Sequence, residues 1–141
     1  ISAQEAMTHA AEAASDGTDT WVFPPAKVLV VDDGEANREL VRLVLEDVGL
    51  SVSDAENGRV GVEKTLQEGF DVILMDIRLA GELDGIEAAQ QIQAFTAIPI
   101  IFMTAYPDKQ GQERAMQLHP LGFFIKPLRI ADIQAAIALI P

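Results

Sequence analysis

Apolar runs of strand length alternate with segments of helical periodicity along most of the chain, from Lys27 onward. The short apolar runs predict five strands, of which the second is weak: 28–31, 50–54, 70–75, 99–103 and 121–125. Apolar residues at helical spacing predict a helix after each strand: 35–48, 57–68, 84–95, 107–118 and 130–140. The pattern therefore predicts a strand–helix unit that occurs five times.

Four local signals support the predicted helix ends. Gly49 is expected to stop the first helix, because glycine is common just after a helix. Asn57 has the side chain of an N-cap for the second helix, and Asp84 begins the third. Pro107 suits the first turn of the fourth helix, where its missing N–H is not needed.

The stronger strands do not alternate between apolar and polar residues, which is typical of strands buried on both faces. The chain is therefore assigned to the α/β class, with a parallel sheet and helices on both faces. In such sheets functional side chains lie beyond the carboxyl ends of the strands. Polar residues stand there in this chain: Asp32 and Asp33 after the first strand, Asp76 after the third, Thr104 after the fourth and Lys126 after the fifth.

This set of residues points to phosphoryl transfer. Asp32, Asp33 and Asp76 would repel one another at one sheet edge, and a divalent cation with oxygen ligands, Mg²⁺ or Mn²⁺, relieves that repulsion. Lys126 and Thr104 are suited to hold phosphoryl oxygens, which leaves Asp76 as the candidate nucleophile. Each residue alone also has an ordinary structural explanation, so the inference depends on the whole set.

Composition narrows the function classes further. The 141 residues are 49% hydrophobic, which suits one compact domain, and the formal net charge of −12 argues against unassisted binding to nucleic acid or to an anionic membrane surface. The chain has no Cys, which excludes a disulfide, a thiolate metal site and a cysteine nucleophile. Since no apolar run reaches membrane-spanning length and no signal-peptide pattern is present, we expect a cytoplasmic location.

The first 26 residues differ in composition from the rest. They are Ala-rich, then polar, and they end near a Pro-Pro pair, so residues 1–26 are interpreted as a linker or tail from a preceding module and residues 27–141 as the domain. His9 has no neighbouring base or polar cluster and is interpreted as a solvated linker histidine rather than a phosphoacceptor. Because the chain begins at Ile1, we expect it to be a piece of a longer polypeptide.

Five motifs contain the polar residues at the strand ends and their neighbours: Val-Leu-Val-Val-Asp-Asp (28–33), Asp-Val-Ile-Leu-Met-Asp (71–76), Asp-Gly (84–85), Pro-Ile-Ile-Phe-Met-Thr-Ala (99–105) and Gly-Phe-Phe-Ile-Lys-Pro (122–127). Together they make the chain resemble the receiver domain of two-component response regulators, the CheY-like family. The resemblance covers about residues 26–141. It implies a doubly wound, flavodoxin-like sheet of five parallel strands in the order 2-1-3-4-5.

The resemblance also implies a role for each acidic residue of the set. Asp76 would accept a phosphoryl group from a phosphohistidine on a sensor histidine kinase or phosphotransfer domain. Asp33 would bind Mg²⁺ directly, Asp32 largely through water, and Asp76 together with the main-chain carbonyl of Arg78 would complete the protein ligands.

For the remaining site residues, the resemblance implies contact with the phosphoryl group or a response to it. Lys126 would pair with Asp76 or its phosphate, and Thr104 would follow the phosphoryl oxygen. Phe123 matches the aromatic that rotates inward when the threonine moves, although a plain core aromatic is the alternative. The Lys126-Pro127 peptide bond is expected to be cis.

Two features depart from the usual family pattern. The loop after Asp76 is one residue longer, with Ala80 where proline is usual and the Asp84-Gly85 pair displaced by one position. Arg78 and Tyr106 stand at the positions that flank the path of hydrolytic water in the family. Both are bulky, which predicts slow self-dephosphorylation.

The wider context stays open at this stage. A linker followed by a receiver resembles the arrangement in hybrid sensor histidine kinases. The resemblance implies a partner surface on the last helix and strand with the helix before them, and a homodimer through the last helix and strand is one use of it. The longer loop after Asp76 instead resembles that of receivers in other multidomain sensor proteins. In either context the domain is mainly a signalling module that takes part in its own phosphorylation and dephosphorylation. The alternatives are a phosphorylation-independent pseudo-receiver acting as a protein-interaction module, and a small α/β enzyme or flavin carrier.

Overall fold

The computed structural model describes residues 25–138 and contains a five-stranded sheet in which each strand is followed by a helix. In chain order the elements are β1 (Lys27–Val31), α1 (Glu35–Asp47), β2 (Ser51–Ala55), α2 (Gly58–Gln67), β3 (Val72–Asp76), α3 (Gly85–Gln93), β4 (Ile100–Thr104), α4 (Lys109–Met116), β5 (Gly122–Ile125) and α5 (Ile130–Ala138). The strand order is β2-β1-β3-β4-β5, and every pair is parallel. The predicted doubly wound fold is confirmed.

Side chains that alternate along β1 enter two separate cores. Val28 and Val30 pack in the core on the side of α1, whereas Leu29 and Val31 pack in the core on the side of α2, α3 and α4. The helix α5 lies beside α1. Burial on both sides explains why these strands are continuously apolar.

Two of the predicted helix ends are confirmed. The Asn57 side chain caps α2 by accepting a hydrogen bond from the main-chain N–H of Val60 at 2.9 Å. Gly49 follows the last residues of α1, and its N–H donates to the carbonyl of Glu46 at 3.1 Å. In both cases the helix end is determined by residues next to it in the sequence, so it could be predicted without knowledge of the fold.

The prediction for Pro107 is wrong. The fourth helix begins at Lys109, and Asp108 is its N-cap, with a carboxylate oxygen 2.5 Å from the N–H of Gly111. A helix that began at Pro107 would have Tyr106 as its N-cap. Aspartate is a far better N-cap than tyrosine, so the helix starts after Asp108 and Pro107 lies outside it. Similarly, Asp84 is the N-cap of α3 rather than its first helical residue.

Some sequence-based predictions lie outside the described residues. They concern His9, the linker up to Pro24 and the end of the last helix beyond Ala138. Within residues 25–138, every helix is too short or too polar to cross a membrane.

Candidate functional site

The carboxyl ends of β1, β3 and β4 bring three buried polar side chains to one edge of the sheet. Asp76 is the last residue of β3, Thr104 is the last residue of β4, and Asp32 directly follows β1; all three are at most 5% exposed. Asp33 is exposed beside them. This edge includes the crevice between β1 and β3. The chain passes from β1 to β2 on one side of β1 and then crosses to β3 on the other side, which makes this position the switch point of the topology.

Lys126 connects the two buried carboxylates. Its Nζ donates to Asp32 Oδ2 at 2.5 Å and to Asp76 Oδ2 at 2.6 Å. Its main-chain N–H donates to the carbonyl of Thr104 at 2.8 Å, which continues the pairing of β5 with β4, and the peptide bond to Pro127 is cis. One ammonium group therefore balances part of the charge of two buried carboxylates.

Burial and charge oppose each other at this pair. Burial raises the pKa of Asp76 above its ordinary value, and the hydrogen bond and positive charge of Lys126 offset only part of that rise. Burial by itself would lower the pKa of Lys126, but its bonds to Asp32 and Asp76 outweigh that effect, so the pKa of the lysine is raised. Lys126 therefore stays charged at neutral pH.

Three carboxylates at the site fit a hard cation. Asp32, Asp33 and Asp76 each offer an oxygen, and these oxygens lie within 4.8 Å of one another. Their donor set consists only of oxygen, which Mg²⁺ prefers. Asp33 Oδ2 also accepts the N–H of Ala80 at 3.2 Å, and Asp76 Oδ1 accepts the N–H of Arg78 at 3.1 Å. The loop after β3 therefore already contacts two of the three carboxylates.

Thr104 and Phe123 occupy neighbouring strands. The hydroxyl oxygen of Thr104 accepts the main-chain N–H of Tyr106 at 3.1 Å, which leaves its proton free to donate elsewhere. Phe123 pairs with Phe102 across β4 and β5 and is half-buried against the core on the α3 side. Phe124 is half-buried and packs against the other core.

Arg78 and Tyr106 contact each other at the mouth of the site. The Arg78 guanidinium lies 5.2 Å from the centre of the Tyr106 ring, and its Nη2 forms an ion pair with Asp108 at 3.1 Å. Tyr106 is 67% exposed. Arg78, Asp108, Asp84 and Arg114 are among the residues that line an adjoining groove of about 470 Å³. The sequence placed Arg78 and Tyr106 near the site but did not reveal their pairing.

The longer loop after β3 is accommodated by a left-handed glycine. Gly81 has a φ of +105°, a conformation that glycine adopts without strain. The loop then ends at Asp84, which forms a reciprocal capping box with Glu87 at the start of α3. The extra residue therefore lies within the loop and does not disturb the start of α3.

Sequence reasoning missed two residues, Arg38 and Asp54, that support the turn after β1. Arg38 on α1 donates from Nη1 to the main-chain carbonyl of Asp32 at 2.7 Å, and from Nε to Asp54 of β2 at 3.2 Å. The only available signal for Arg38 was its place as the fourth residue of a helix that starts two residues after the acidic pair.

A comparison with protein-family models places most of the chain in a known family. The model described as "Response regulator receiver domain" matches residues 28–138, which include all the site residues named above.

Curated relatives share part of their length with this chain. The transcriptional regulatory protein ZraR of Escherichia coli (strain K12) is 35% identical over 111 residues, covering 78% of this chain and 25% of ZraR. The sensor protein GacS of Pseudomonas syringae pv. syringae is 35% identical over 108 residues, covering 72% of this chain and 12% of GacS. The chain therefore spans a quarter or less of these two relatives.

A solved structure extends the similarity to the fold. The signal receiver domain of a modulated diguanylate cyclase from Desulfovibrio desulfuricans G20 superposes with a TM-score of 0.78 and 32% identity. The match covers 83% of this chain and 94% of that structure.

Proposed function

Because the chain belongs to the family of response regulator receiver domains, we propose that Asp76 accepts a phosphoryl group from a phosphohistidine in a two-component phosphorelay. The observation that carries this proposal is the contact of 2.6 Å between Lys126 Nζ and Asp76 Oδ2, beside two further aspartates. A buried carboxylate with a fixed ammonium and a cluster of oxygen ligands suits phosphoryl transfer. The donor is a sensor histidine kinase or a phosphotransfer domain.

The transfer exchanges one bond for another. A carboxylate oxygen of Asp76 forms a bond to phosphorus while the phosphorus–nitrogen bond of the phosphohistidine breaks, and the electron pair returns to the imidazole nitrogen. Asp76 must be ionised to attack, and Lys126 favours that form although burial opposes it. During the reaction Lys126 is placed to move from the carboxylate to an oxygen of the phosphoryl group, where its charge is needed.

A divalent cation fits the acidic side of the site. Asp32, Asp33 and Asp76, with the main-chain carbonyl of Arg78, would hold Mg²⁺ or Mn²⁺. When bound, the ion supplies positive charge to the oxygens of the transferring group. Lys126 stabilises the same group by charge and Thr104 by its free hydroxyl proton.

We place the response to phosphorylation on Thr104 and Phe123. A Thr104 hydroxyl that donates to a phosphoryl oxygen would shift at the end of β4, and Phe123 on the paired strand β5, which is half-buried against the core, would turn inward in response. This change would alter the surface formed by α4, β5 and α5, which we propose as the partner-binding surface. A homodimer through α5 and β5 is one use of that surface.

We also propose that this domain is part of a longer signalling protein. The match to the sensor protein GacS supports attachment to a sensor protein, whereas the match to ZraR supports a place in a transcriptional regulatory protein. The pseudo-receiver alternative is not supported, because Asp76, Lys126 and the other two aspartates are all present and in contact range. A flavin carrier or phosphatase has no supporting observation in residues 25–138.

Intact-protein mass spectrometry tests the proposal. The chain is incubated with acetyl phosphate, with and without Mg²⁺, alongside Asp76→Asn. We expect a Mg²⁺-dependent gain of one phosphoryl group that Asp76→Asn lacks. Asp71→Asn is the matched control, because Asp71 is exposed near the opposite end of β3 and should leave the gain intact. A gain that persists in Asp76→Asn would disprove the assignment.

A further inference from the structure

Arg38 is a nearly buried arginine that connects two strands. Its side chain is only 14% exposed. The guanidinium donates from Nη1 to the Asp32 carbonyl at 2.7 Å and from Nε to Asp54 Oδ2 at 3.2 Å. These two bonds use separate nitrogens of the planar guanidinium group, an arrangement that lysine cannot reproduce. Arg38 therefore fixes the end of β1 relative to β2.

Asp32 is held at every polar atom. Its N–H donates to the carbonyl of Ala55 at 3.1 Å, Oδ1 accepts the N–H of Gly34 at 2.8 Å, and Oδ2 accepts Lys126 Nζ. The remaining group is the main-chain carbonyl, which accepts the bond from Arg38. A buried carbonyl without a donor is costly, so the turn from β1 into α1 depends on this bond.

Asp54 is in turn anchored from two other sides. Arg42 Nη2 forms an ion pair with Asp54 Oδ1 at 3.2 Å, and Lys64 of α2 donates to the main-chain carbonyl of Asp54. The acceptor of the Arg38 Nε is therefore itself fixed. A continuous chain of contacts runs from α2 through Asp54 and Arg38 to Asp32.

We propose that Arg38 is a positioning residue for the metal-binding pair Asp32 and Asp33. By bonding the Asp32 carbonyl, Arg38 sets the direction in which the turn presents both carboxylates to Asp76. Arg38 makes this contribution through the main chain, without being a ligand. The inference rests on the proposed function for the identity of the ion. The claim that Arg38 holds the turn after β1 concerns the metal-free protein and can be tested without the ion.

Isothermal titration calorimetry with Mg²⁺ tests the effect on affinity. Arg38→Met is compared with Arg42→Met, because both arginines lie on α1 and bond Asp54 but only Arg38 contacts Asp32. We expect Arg38→Met to weaken Mg²⁺ binding by about tenfold, the lower end of the range for residues that support metal ligands. The Mg²⁺ affinity of Arg42→Met should stay within about twofold of wild type, because Arg42 does not support a metal ligand.

A second readout does not depend on the metal. The Gly34 N–H bonds the Asp32 carboxylate, so its hydrogen exchange, measured by NMR in EDTA, reports how firmly the turn is held. We expect faster exchange in Arg38→Met and unchanged exchange in Arg42→Met. Arg38→Lys, which keeps the charge but not the two-nitrogen geometry, should fall between wild type and Arg38→Met.

The outcomes separate the two proposals. If wild type binds no Mg²⁺, the metal-dependent function fails, while the Gly34 exchange still decides the role of Arg38. If wild type binds Mg²⁺ and Arg38→Met matches Arg42→Met in both affinity and Gly34 exchange, the positioning role is overturned. If Arg38→Met does not fold, Arg38→Lys provides the same comparison.

Discussion

The main chain of Gly85 lies against the carbonyl oxygen of Asp76, so closely that a Cβ on residue 85 would stand 1.8 Å from that oxygen. The Gly85 N–H donates to the carbonyl of Ile77 at 2.8 Å, directly after the end of β3. The start of α3 is thus pressed onto the end of β3. This contact explains why a glycine follows the capping residue Asp84.

Gly85→Ala is expected to destabilise the domain by about 3 kcal/mol or more, because the added methyl meets backbone atoms that cannot move aside cheaply. Urea unfolding monitored by circular dichroism measures the loss. Gly69→Ala is the control, since a Cβ there meets nothing within 4 Å. Equal stabilities for the two variants would contradict the contact.

Asp76→Asn is expected to change the pH dependence of stability in metal-free protein. Burial raises the pKa of Asp76, so the folded protein holds this proton more tightly than the unfolded chain does. Ionised Asp76 therefore costs stability above its folded pKa. That cost disappears as the pH falls through the folded pKa toward the ordinary value of 3.8. The variant removes the group that causes this trend.

Urea unfolding in EDTA between neutral pH and about pH 4, near the ordinary aspartate pKa, measures this effect. The stability advantage of Asp76→Asn over wild type should be largest at neutral pH and should shrink as the pH falls. An advantage that grows on acidification would mean that the pKa of Asp76 is lowered in the folded state and that Lys126 outweighs burial.

Several parts of the molecule could be predicted because their causes are local or periodic. Continuous apolar runs predicted the buried parallel strands, and Asn57 predicted its own cap. The gathering of Asp32, Asp76 and Thr104 followed from the rule that parallel strands end at one edge. What these residues do there remains a prediction.

Other features depend on contacts between distant elements. The pairing of Arg38 with Asp54 joins a helix to a neighbouring strand, and that of Arg78 with Asp108 joins two loops. Sequence spacing does not specify such contacts, because either arginine could equally extend into solvent. The prediction for Pro107 failed for a different, local reason: two helix-start signals stand side by side, and the N-cap Asp108 is the stronger one.

Mg²⁺ is expected to raise the free energy of unfolding of wild type, because only the folded chain groups the three carboxylates. At a concentration tenfold above Kd the gain is about 1.4 kcal/mol. Asp33→Asn should abolish the gain with little effect on metal-free stability, since Asp33 is exposed. Asp47→Asn, an exposed acid at the end of α1, is the control that should keep the gain.

Loss of the contact between Arg78 and Tyr106 is expected to speed the hydrolysis of phosphorylated Asp76. The guanidinium lies 5.2 Å from the ring centre, so each side chain limits the motion of the other at the mouth of the site. Arg78→Ala or Tyr106→Ala should raise the rate by about two- to fivefold, which corresponds to the ~0.5–1 kcal/mol of an exposed cation–π contact.

The decay of the phosphorylated mass after removal of acetyl phosphate measures this rate. If the two side chains act together, the double variant should be no faster than the faster single variant, because either substitution already breaks the contact. Asp108→Asn should have a smaller effect, since it removes only the ion pair that helps to hold Arg78. Arg59→Ala, which removes an exposed arginine on α2, is the control and should leave the rate unchanged. Rates in Arg78→Ala and Tyr106→Ala equal to wild type would show that these residues do not restrict the attacking water.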